Sequence, residues 1–203
     1  MDDLIIPSST YEEGIDRLKL VLETASSYGL EIKKQKCQVL EKKLQFLGYI
    51  IEDGKITPSE EKTTAIKKNC EPTTHKQVQS YLGLTGYFRK FIPCYSTIAK
   101  PLSDLLRKDV TFAMGDKQKQ AFNKLKDLVT SLPVLNIFQR GLPTEVHTDA
   151  SKHGYGACLL QKSNVDSKLH PVYFLSKKTS PAEEKYSSYE LEVLAVIMAV
   201  KKF

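Results

Sequence analysis

Thr144-Glu-Val-His-Thr-Asp-Ala-Ser151 and Gly154-Tyr-Gly-Ala-Cys-Leu-Leu-Gln161 are two strand-like runs separated by a short turn, and the first run carries Asp149 near its end. The later run Tyr189-Glu-Leu-Glu-Val-Leu-Ala-Val-Ile-Met-Ala-Val200 is typical of a helix and carries Glu192. Magnesium prefers oxygen ligands, and carboxylate-held Mg²⁺ pairs stabilise the oxygens of a reacting phosphodiester. The two acids therefore predict a divalent-metal site, although a turn residue and a surface acid also fit an isolated pair.

The chain has 203 residues, a formal net charge of +6 and 41% hydrophobic residues. This composition is typical of a globular protein with one large domain or several small ones. The positive charge lies mainly in the middle, because residues 60–108 carry +5, whereas residues 1–59 carry −2 and residues 109–203 carry +3. Such clustering favours contact with a polyanion, although an ordinary solvated surface also fits it.

Several classes of protein are excluded by what the sequence lacks. The four cysteines are scattered without a Cys-x-x-Cys pair, which argues against a zinc site or a disulfide framework. No apolar run approaches the ~20 residues that span a bilayer, and the N-terminus has no signal-peptide pattern. We therefore expect no membrane partner and an intracellular location, in a cytoplasmic particle or the nucleus.

The first part of the chain is predicted to form one helix followed by strands. Ser8-Ser-Thr10 offers N-cap hydroxyls, and apolar residues recur at helical spacing after it, which predicts a helix over residues 11–28. Strands are predicted at residues 30–32, 37–40 and 44–51, with a hairpin turn at Glu52-Asp-Gly-Lys55. A boundary follows near residue 57, where the composition becomes helical and basic.

The second part is predicted to be helical and then to return to strands. Pro58-Ser-Glu-Glu begins a helix with a serine cap. The further predicted helices span residues 74–82, 96–108 and 117–131, the strands span residues 144–150, 154–161 and 171–177, and a last helix runs from residue 182 to the end.

The last third of the chain resembles the ribonuclease H of Gypsy-type LTR retrotransposons. The residues that carry this resemblance are Val146–Gln161, His170–Lys178 and Tyr186–Ala195. The resemblance implies that Asp149 and Glu192 match the first two catalytic acids of that family. Glu190 is the weaker candidate, because a helix turns about 100° per residue and two positions place it on a different side.

The upstream residues resemble the reverse transcriptase of the same Pol polyproteins. Met1-Asp-Asp-Leu-Ile-Ile resembles the end of the Tyr-x-Asp-Asp metal motif, which places Asp2 and Asp3 on its acids. Phe46–Ile51 resembles the primer-grip hairpin, and Pro58–Thr63 with Gln77–Ile92 resembles the thumb.

Basic thumb helices with glycines can follow a nucleic-acid backbone closely and without reading its sequence. The nucleic-acid contacts that we expect from the resemblance are Gly48, Tyr49, Lys76, Gln77, Arg89 and Lys90. Four aromatic residues of this segment are more typical of a core than of base stacking: Tyr81, Tyr87, Phe88 and Phe91.

The resemblance implies an α+β multidomain fragment. Its expected parts are a palm remnant with the primer-grip hairpin (residues 1–57), a helical thumb (58–108), a connection (109–140) and the N-terminal part of a ribonuclease H-like α/β fold (141–203), with a mixed sheet in the order β-β-β-α. The implied activities are RNA-directed DNA synthesis and cleavage of RNA in RNA/DNA hybrids with Mg²⁺, or Mn²⁺, as cofactor. The implied partners are hybrid, primer-template, deoxynucleotides and the remainder of Pol.

The chain also departs from the family pattern. It starts within the polymerase motif and stops at Phe203, before the third and fourth ribonuclease H acids of the family. We therefore expect the chain to be incomplete for either activity alone, as a piece of a longer polyprotein or a decayed copy. The rival hypothesis is a noncatalytic nucleic-acid-binding remnant.

Overall fold

The computed structural model describes residues 4–131 and 133–203, so the predicted ligands Asp2 and Asp3 lie outside the described residues. Its backbone contacts divide the chain into two compact units, one ending at Leu44 and the other spanning Gln45–Phe203. The primer-grip-like hairpin therefore belongs to the second unit, together with all residues that follow it. Within the described residues, none of the helices combines the length and hydropathy needed to span a bilayer.

The first unit contains the predicted helix, α1 (Tyr11–Ser27), and a 3₁₀ turn at Lys34–Lys36. The hydroxyl of Thr10 accepts a hydrogen bond from the Glu13 backbone N–H at 3.2 Å, which confirms the predicted N-cap. The strands predicted at residues 30–32 and 37–40 are wrong, because these residues are exposed and not paired in a sheet. Alternating apolar residues form a strand only where a neighbouring strand satisfies the backbone.

The second unit begins with a small antiparallel sheet. Its strands are β1 (Lys43–Phe46), which crosses the division between the units, β2 (Tyr49–Glu52), β3 (Lys55–Pro58) and β4 (Leu135–Asn136), in the order β1-β2-β3-β4. The single strand predicted at residues 44–51 is corrected to two strands, because Leu47 and Gly48 have φ angles of 46° and 74° and form a tight turn. The Asp53-Gly54 turn is confirmed by the same signature.

Four helices lie between β3 and β4 in the chain. They are α2 (Glu60–Lys67), α3 (His75–Gly86), α4 (Tyr95–Asp104) and α5 (Asp116–Thr130), with a 3₁₀ turn at Arg89–Phe91. One buried core joins them, so the predicted thumb and connection share a single core. Its fully buried large side chains include Ile66, Tyr81, Phe88, Phe91, Leu102, Leu125 and Leu135.

A second sheet follows, with strands β5 (Thr144–Ser151), β6 (Gly154–Lys162) and β7 (Leu169–Lys177), then a 3₁₀ turn (Glu183–Lys185) and α6 (Ser188–Lys202). The predicted β-β-β-α order is confirmed. All three described strands pair antiparallel, so the parallel strand of the expected mixed sheet is not among the described residues. Helix α6 packs against β5 and β6.

Polar contacts fix the second sheet to the helices. The Arg89 guanidinium donates to the backbone carbonyl of Ser176 at 2.6 Å, and the Ser96 backbone N–H donates to the Ser176 hydroxyl at 2.9 Å. Phe174, two residues before Ser176 on β7, packs against the helical core. Since Ser176 is buried, these bonds form in a setting where an unpaired polar group is costly, and they hold the sheet in one position.

Candidate nucleic-acid interface and nuclease acids

A shallow groove lies between α2 and α3 and has a volume of about 150 Å³. We call it the α2–α3 groove, and its lining residues are Lys62, Ile66, Gly83, Leu84, Tyr87 and Phe88. The β1–β2 turn lies at one end of it, because a Cβ added at Gly48 would lie 3.1 Å from Tyr87 Oη and 3.3 Å from Lys62 Cε. Gly48 thus allows the turn to approach both side chains, and its positive φ also favours glycine.

Helix α3 presents an open face toward solvent. Residues at spacings of four, seven and eleven share one side of a helix, which places Lys76, Ser80, Gly83 and Tyr87 together. All except the 38%-exposed Tyr87 are polar or lack a side chain, and all four are exposed. A Cβ added at Gly83 would meet no atom within 4 Å. This face therefore allows another molecule to approach the helix backbone closely.

Tyr49 and Lys90 form a contact with each other instead of projecting freely. Lys90 Nζ lies 3.9 Å from the centroid of the Tyr49 ring, and this ring stacks on Tyr87 at 4.9 Å. Burial raises the pKa of Tyr49 above its ordinary value and lowers the pKa of Lys90. The structure thus makes Tyr49 a support for Tyr87, and the predicted contacts of Tyr49 and Lys90 with nucleic acid stay predictions.

Arg89 and Gln77 also have partners inside the chain. Arg89 donates to Ser176 O, and its guanidinium carbon lies 5.7 Å from the centroid of the Tyr95 ring. Gln77 Oε1 accepts from the Thr73 backbone N–H at 2.7 Å, which helps to start α3. These bonds give both residues a structural role. They do not test the predicted contacts of Arg89 and Gln77 with nucleic acid, which stay predictions.

The sequence did not single out Lys62 or Gly83 as contacts. Lys62 Nζ lies 6.0 Å from the centroid of the Tyr87 ring, so it borders the α2–α3 groove from the other helix. The signal for Gly83 was present, because it lies seven residues after Lys76 and four before Tyr87. Because the predicted helix ended at residue 82, Gly83 and Tyr87 were not placed on one helix face with Lys76. Of the four aromatics, Tyr81, Phe88 and Phe91 are buried as expected, and Tyr87 borders the groove.

Asp149 lies near the end of β5 and is exposed. It pairs with Gly156 on β6, which pairs in turn with Ser176 on β7, so these three residues share one face of the sheet. Gly154 faces the same way, and a Cβ added there would lie 3.2 Å from Ser96 Oγ on α4. Asp149 is therefore on the sheet face that contacts α4.

The first turn of α6 distinguishes the two candidate glutamates. Glu190 is engaged in a capping box, since its Oε2 accepts from the Ser187 backbone N–H at 2.7 Å and the Ser187 hydroxyl accepts from the Glu190 N–H at 3.3 Å. This hydrogen bonding holds the pKa of Glu190 below its usual range. Glu192 is exposed on the helix that packs against β5. The choice of Glu192 over Glu190 as the candidate acid stays a prediction.

The metal ligands require a separate test. Carboxylate oxygens are the donors that Mg²⁺ prefers. Among residues 4–131 and 133–203, however, no three His, Cys, Asp or Glu side chains are grouped so that they could hold a metal ion. The described residues do not meet the ligand requirement of a two-metal site by themselves, and no chemical step through a metal is assigned to them.

The second unit is of the class in which a helical region with an open groove is joined by hydrogen bonds to a three-stranded sheet that carries the candidate acids. Residues 1–51 match the family model described as reverse transcriptase (RNA-dependent DNA polymerase). Residues 114–203 match the RNase H-like domain found in reverse transcriptase. The chain therefore belongs to the reverse transcriptase and RNase H-like family of retrotransposon Pol polyproteins. Enzymes of these families generally use divalent metals.

Curated relatives agree with this assignment. The chain is 37% identical over 207 residues to the retrovirus-related Pol polyprotein from transposon 297 of Drosophila melanogaster, covering 100% of the chain and 19% of that relative. It is 35% identical over 201 residues to the transposon Tf2-3 polyprotein of Schizosaccharomyces pombe, covering 99% of the chain and 15% of that relative. The chain thus spans a small part of the relatives it matches, and the Gypsy subtype stays a prediction.

Solved structures agree on the fold. A foamy viral protease-reverse transcriptase in complex with an RNA/DNA hybrid has a TM-score of 0.77 and 22% identity, over 97% of this chain and 26% of that one. A second foamy viral structure, in complex with double-stranded DNA, has a TM-score of 0.76 and 22% identity, over 97% of this chain and 41% of that one. The predicted α+β architecture is confirmed by these matches.

Proposed function

We propose that the chain binds an RNA/DNA hybrid or primer-template through the α2–α3 groove, as part of a longer Pol polyprotein that copies RNA into DNA. The observation that carries this proposal is Gly83. A glycine inside an exposed stretch of helix costs about 1 kcal/mol relative to alanine, and no neighbouring atom of the described chain occupies the space of its missing side chain. A duplex lying against α3 supplies a reason for the glycine, because it requires close approach to the helix backbone.

The charges around the groove support this ligand. Lys62 and Lys76 are exposed near Gly83, on α2 and α3 respectively. Lysines that contact phosphates release counterions from the duplex, and this release provides affinity without reading the sequence. Residues 60–108 carry a net charge of +5, so the surrounding field also favours a polyanion.

The foamy viral neighbours support the same ligand, since they were solved with an RNA/DNA hybrid and with double-stranded DNA. We extend the proposal to the parent polyprotein, which uses deoxynucleotides and acts with the remainder of Pol inside the cell, in a cytoplasmic particle or the nucleus. Asp2 and Asp3 are its proposed polymerase ligands.

We also propose that Asp149 and Glu192 contribute to ribonuclease H activity of the parent. Bound Mg²⁺ or Mn²⁺ supplies charge neutralisation at the scissile phosphate in such sites. This chain presents two carboxylates as oxygen donors. Asp149 is on a strand held by pairing with β6, and Glu192 is on a helix held by its N-terminal capping box. The competing function is nucleic-acid binding without catalysis, which the incomplete donor set of the described residues favours.

Hybrid binding by fluorescence anisotropy at several salt concentrations tests the proposal. The double variant Lys62→Gln/Lys76→Gln is expected to bind more weakly and to show a smaller salt dependence, by about 0.9 in slope for each lost phosphate contact. Lys124→Gln, an exposed lysine on α5, is the matched control and is expected to bind like the wild type. Equal affinity of the double variant and the wild type would contradict the proposed groove.

A cleavage assay separates the two functions. Mg²⁺-dependent cleavage of a hybrid that is lost in Asp149→Asn would support nuclease activity in this chain. Salt-sensitive binding without cleavage would leave nucleic-acid binding as its function.

A further inference from the structure

Lys100 on α4 and His153 in the β5–β6 turn form a cationic pair outside the α2–α3 groove. Lys100 Nζ lies 2.9 Å from His153 Nδ1. An ammonium group has only donors, so Nδ1 is the acceptor and the neutral imidazole carries its proton on Nε2. The pair therefore presents only hydrogen-bond donors to a third partner.

The acid nearest along α4 is already engaged. Asp104, one turn after Lys100, is bound by Lys178 at 2.5 Å and by Arg107 at 3.2 Å. Among the ion pairs of the described residues, none includes Lys100. Lys152 adds a further exposed cation next to His153. The local charge is positive, and the partner that fits it is an anion.

Hydrogen bonds hold the β5–β6 turn in place. The Ser151 hydroxyl donates to Gly154 O at 3.0 Å and accepts from the His153 backbone N–H at 3.3 Å. The Thr179 hydroxyl donates to Lys152 O at 2.7 Å, which ties the turn to the residues after β7. His153 is thus held on a fixed backbone, and an anion that binds there does not have to order the turn first.

His153 lies in the turn that follows β5, the strand that carries the candidate nuclease acid Asp149. Asp149 is two residues before Ser151 on β5, about 7 Å along the strand, and it is on the sheet face that meets α4. The β5–β6 turn that carries His153 follows directly after this end of β5, so a nucleic-acid strand that reaches Asp149 arrives at the same end of the sheet as Lys100 and His153.

We propose that Lys100 and His153 bind a backbone phosphodiester of the nucleic acid at the joint between α4 and the RNase H-like sheet. This inference rests on the proposed function, because it requires that the chain binds a duplex. The contact spans two parts of the second unit, so one phosphate is held by the helices and by the sheet at the same time.

Salt-dependent anisotropy with an RNA/DNA hybrid tests the contact on the full chain. Lys100→Gln and His153→Gln are each expected to weaken binding and Lys100→Gln to reduce the salt slope by about 0.9, whereas Lys100→Arg keeps the slope. Lys124→Gln is again the control. Unchanged affinity and slope in both Gln variants, with a wild type that binds, would overturn the inference alone. A wild type that does not bind the hybrid would overturn the proposed function and this inference with it.

The imidazole resonances of His153, measured by NMR in the wild type, give a second test. It needs no substitution, so a loss of stability in a variant does not affect the result. Addition of hybrid is expected to shift the Nε2 resonance, and inorganic phosphate at the same phosphate concentration is expected to leave it unchanged. A shift with inorganic phosphate but not with hybrid would refute a nucleic-acid contact.

Discussion

Replacement of Gly83 by alanine is expected to stabilise the protein while it weakens hybrid binding. Gly83 is inside α3, and its added Cβ has no atom within 4 Å, so the methyl group fits without strain. The gain is the difference in helix propensity, about 0.5–1 kcal/mol. For a chain of this size it corresponds to a rise of roughly 1–4 °C in Tm.

The loss of binding has a different origin. If a duplex lies against the helix backbone at Gly83, the methyl group enters a packed contact, where accommodation of an extra methyl costs about 1–3 kcal/mol. The hybrid Kd is then expected to rise roughly fivefold or more. Thermal unfolding and anisotropy on the same preparation measure both effects, and their opposite signs separate a lost contact from a damaged fold.

Gly86→Ala is the matched control. This glycine is the last residue of α3, and its added Cβ would lie 3.6 Å from Tyr95 Oη, an ordinary contact inside the fold. We expect the control to leave hybrid binding unchanged. The reasoning about the groove is refuted if Gly83→Ala is as stable as predicted and binds the hybrid with the affinity of the wild type.

Three substitutions and one chemical modification test the packing and the caps. Leu102→Ala removes a fully buried side chain and is expected to lower the free energy of unfolding in urea by about 2–5 kcal/mol. Ser187→Ala removes the N-cap of α6 and is expected to cost about 1 kcal/mol. The pKa of Glu190 is lowered in the folded state, so its stabilising contribution is present above the ordinary carboxyl pKa and is lost as pH falls through the lowered pKa. The free energies of unfolding of the wild type and of Glu190→Gln are therefore expected to converge in acid. Burial raises the pKa of Cys158 to about 11, so at pH 8 iodoacetamide should modify it more slowly than the exposed Cys70; equal rates would contradict this burial.

Elements with a strong local signal could be predicted from the sequence. Helix α1 follows from the Thr10 cap and apolar spacing, and the Asp53-Gly54 turn follows from a residue pair that accepts positive φ. Helix α3 was predicted too short, because Gly83 lowers the local propensity. Tyr81 and Thr85 are buried on its inner face, and this tertiary packing continues the helix to Gly86.

The candidate site was predictable only in part. Asp149 and Glu192 were chosen because the surrounding residues resemble a known family, and their roles stay predictions; the structure shows that α6 contacts β5, the strand that carries Asp149. The roles of Arg89 and Lys90 could not be predicted, since their partners Ser176 and Tyr49 are distant in sequence. Basic side chains look alike in sequence whether they face a duplex, a ring or a carbonyl.

The sequence by itself indicated the family, through long residue strings that resemble it, and the order of most helices and strands, because these depend on residue types and spacings along the chain. Tertiary structure decided which residues face outward. In the folded chain Arg89 donates to the Ser176 carbonyl, and the α3 face at Gly83 is open to solvent. Lys100 contacts His153, which is 53 positions away in the sequence. The physical reason is that exposure and charge balance depend on neighbours in space, and these neighbours are set by packing of the core.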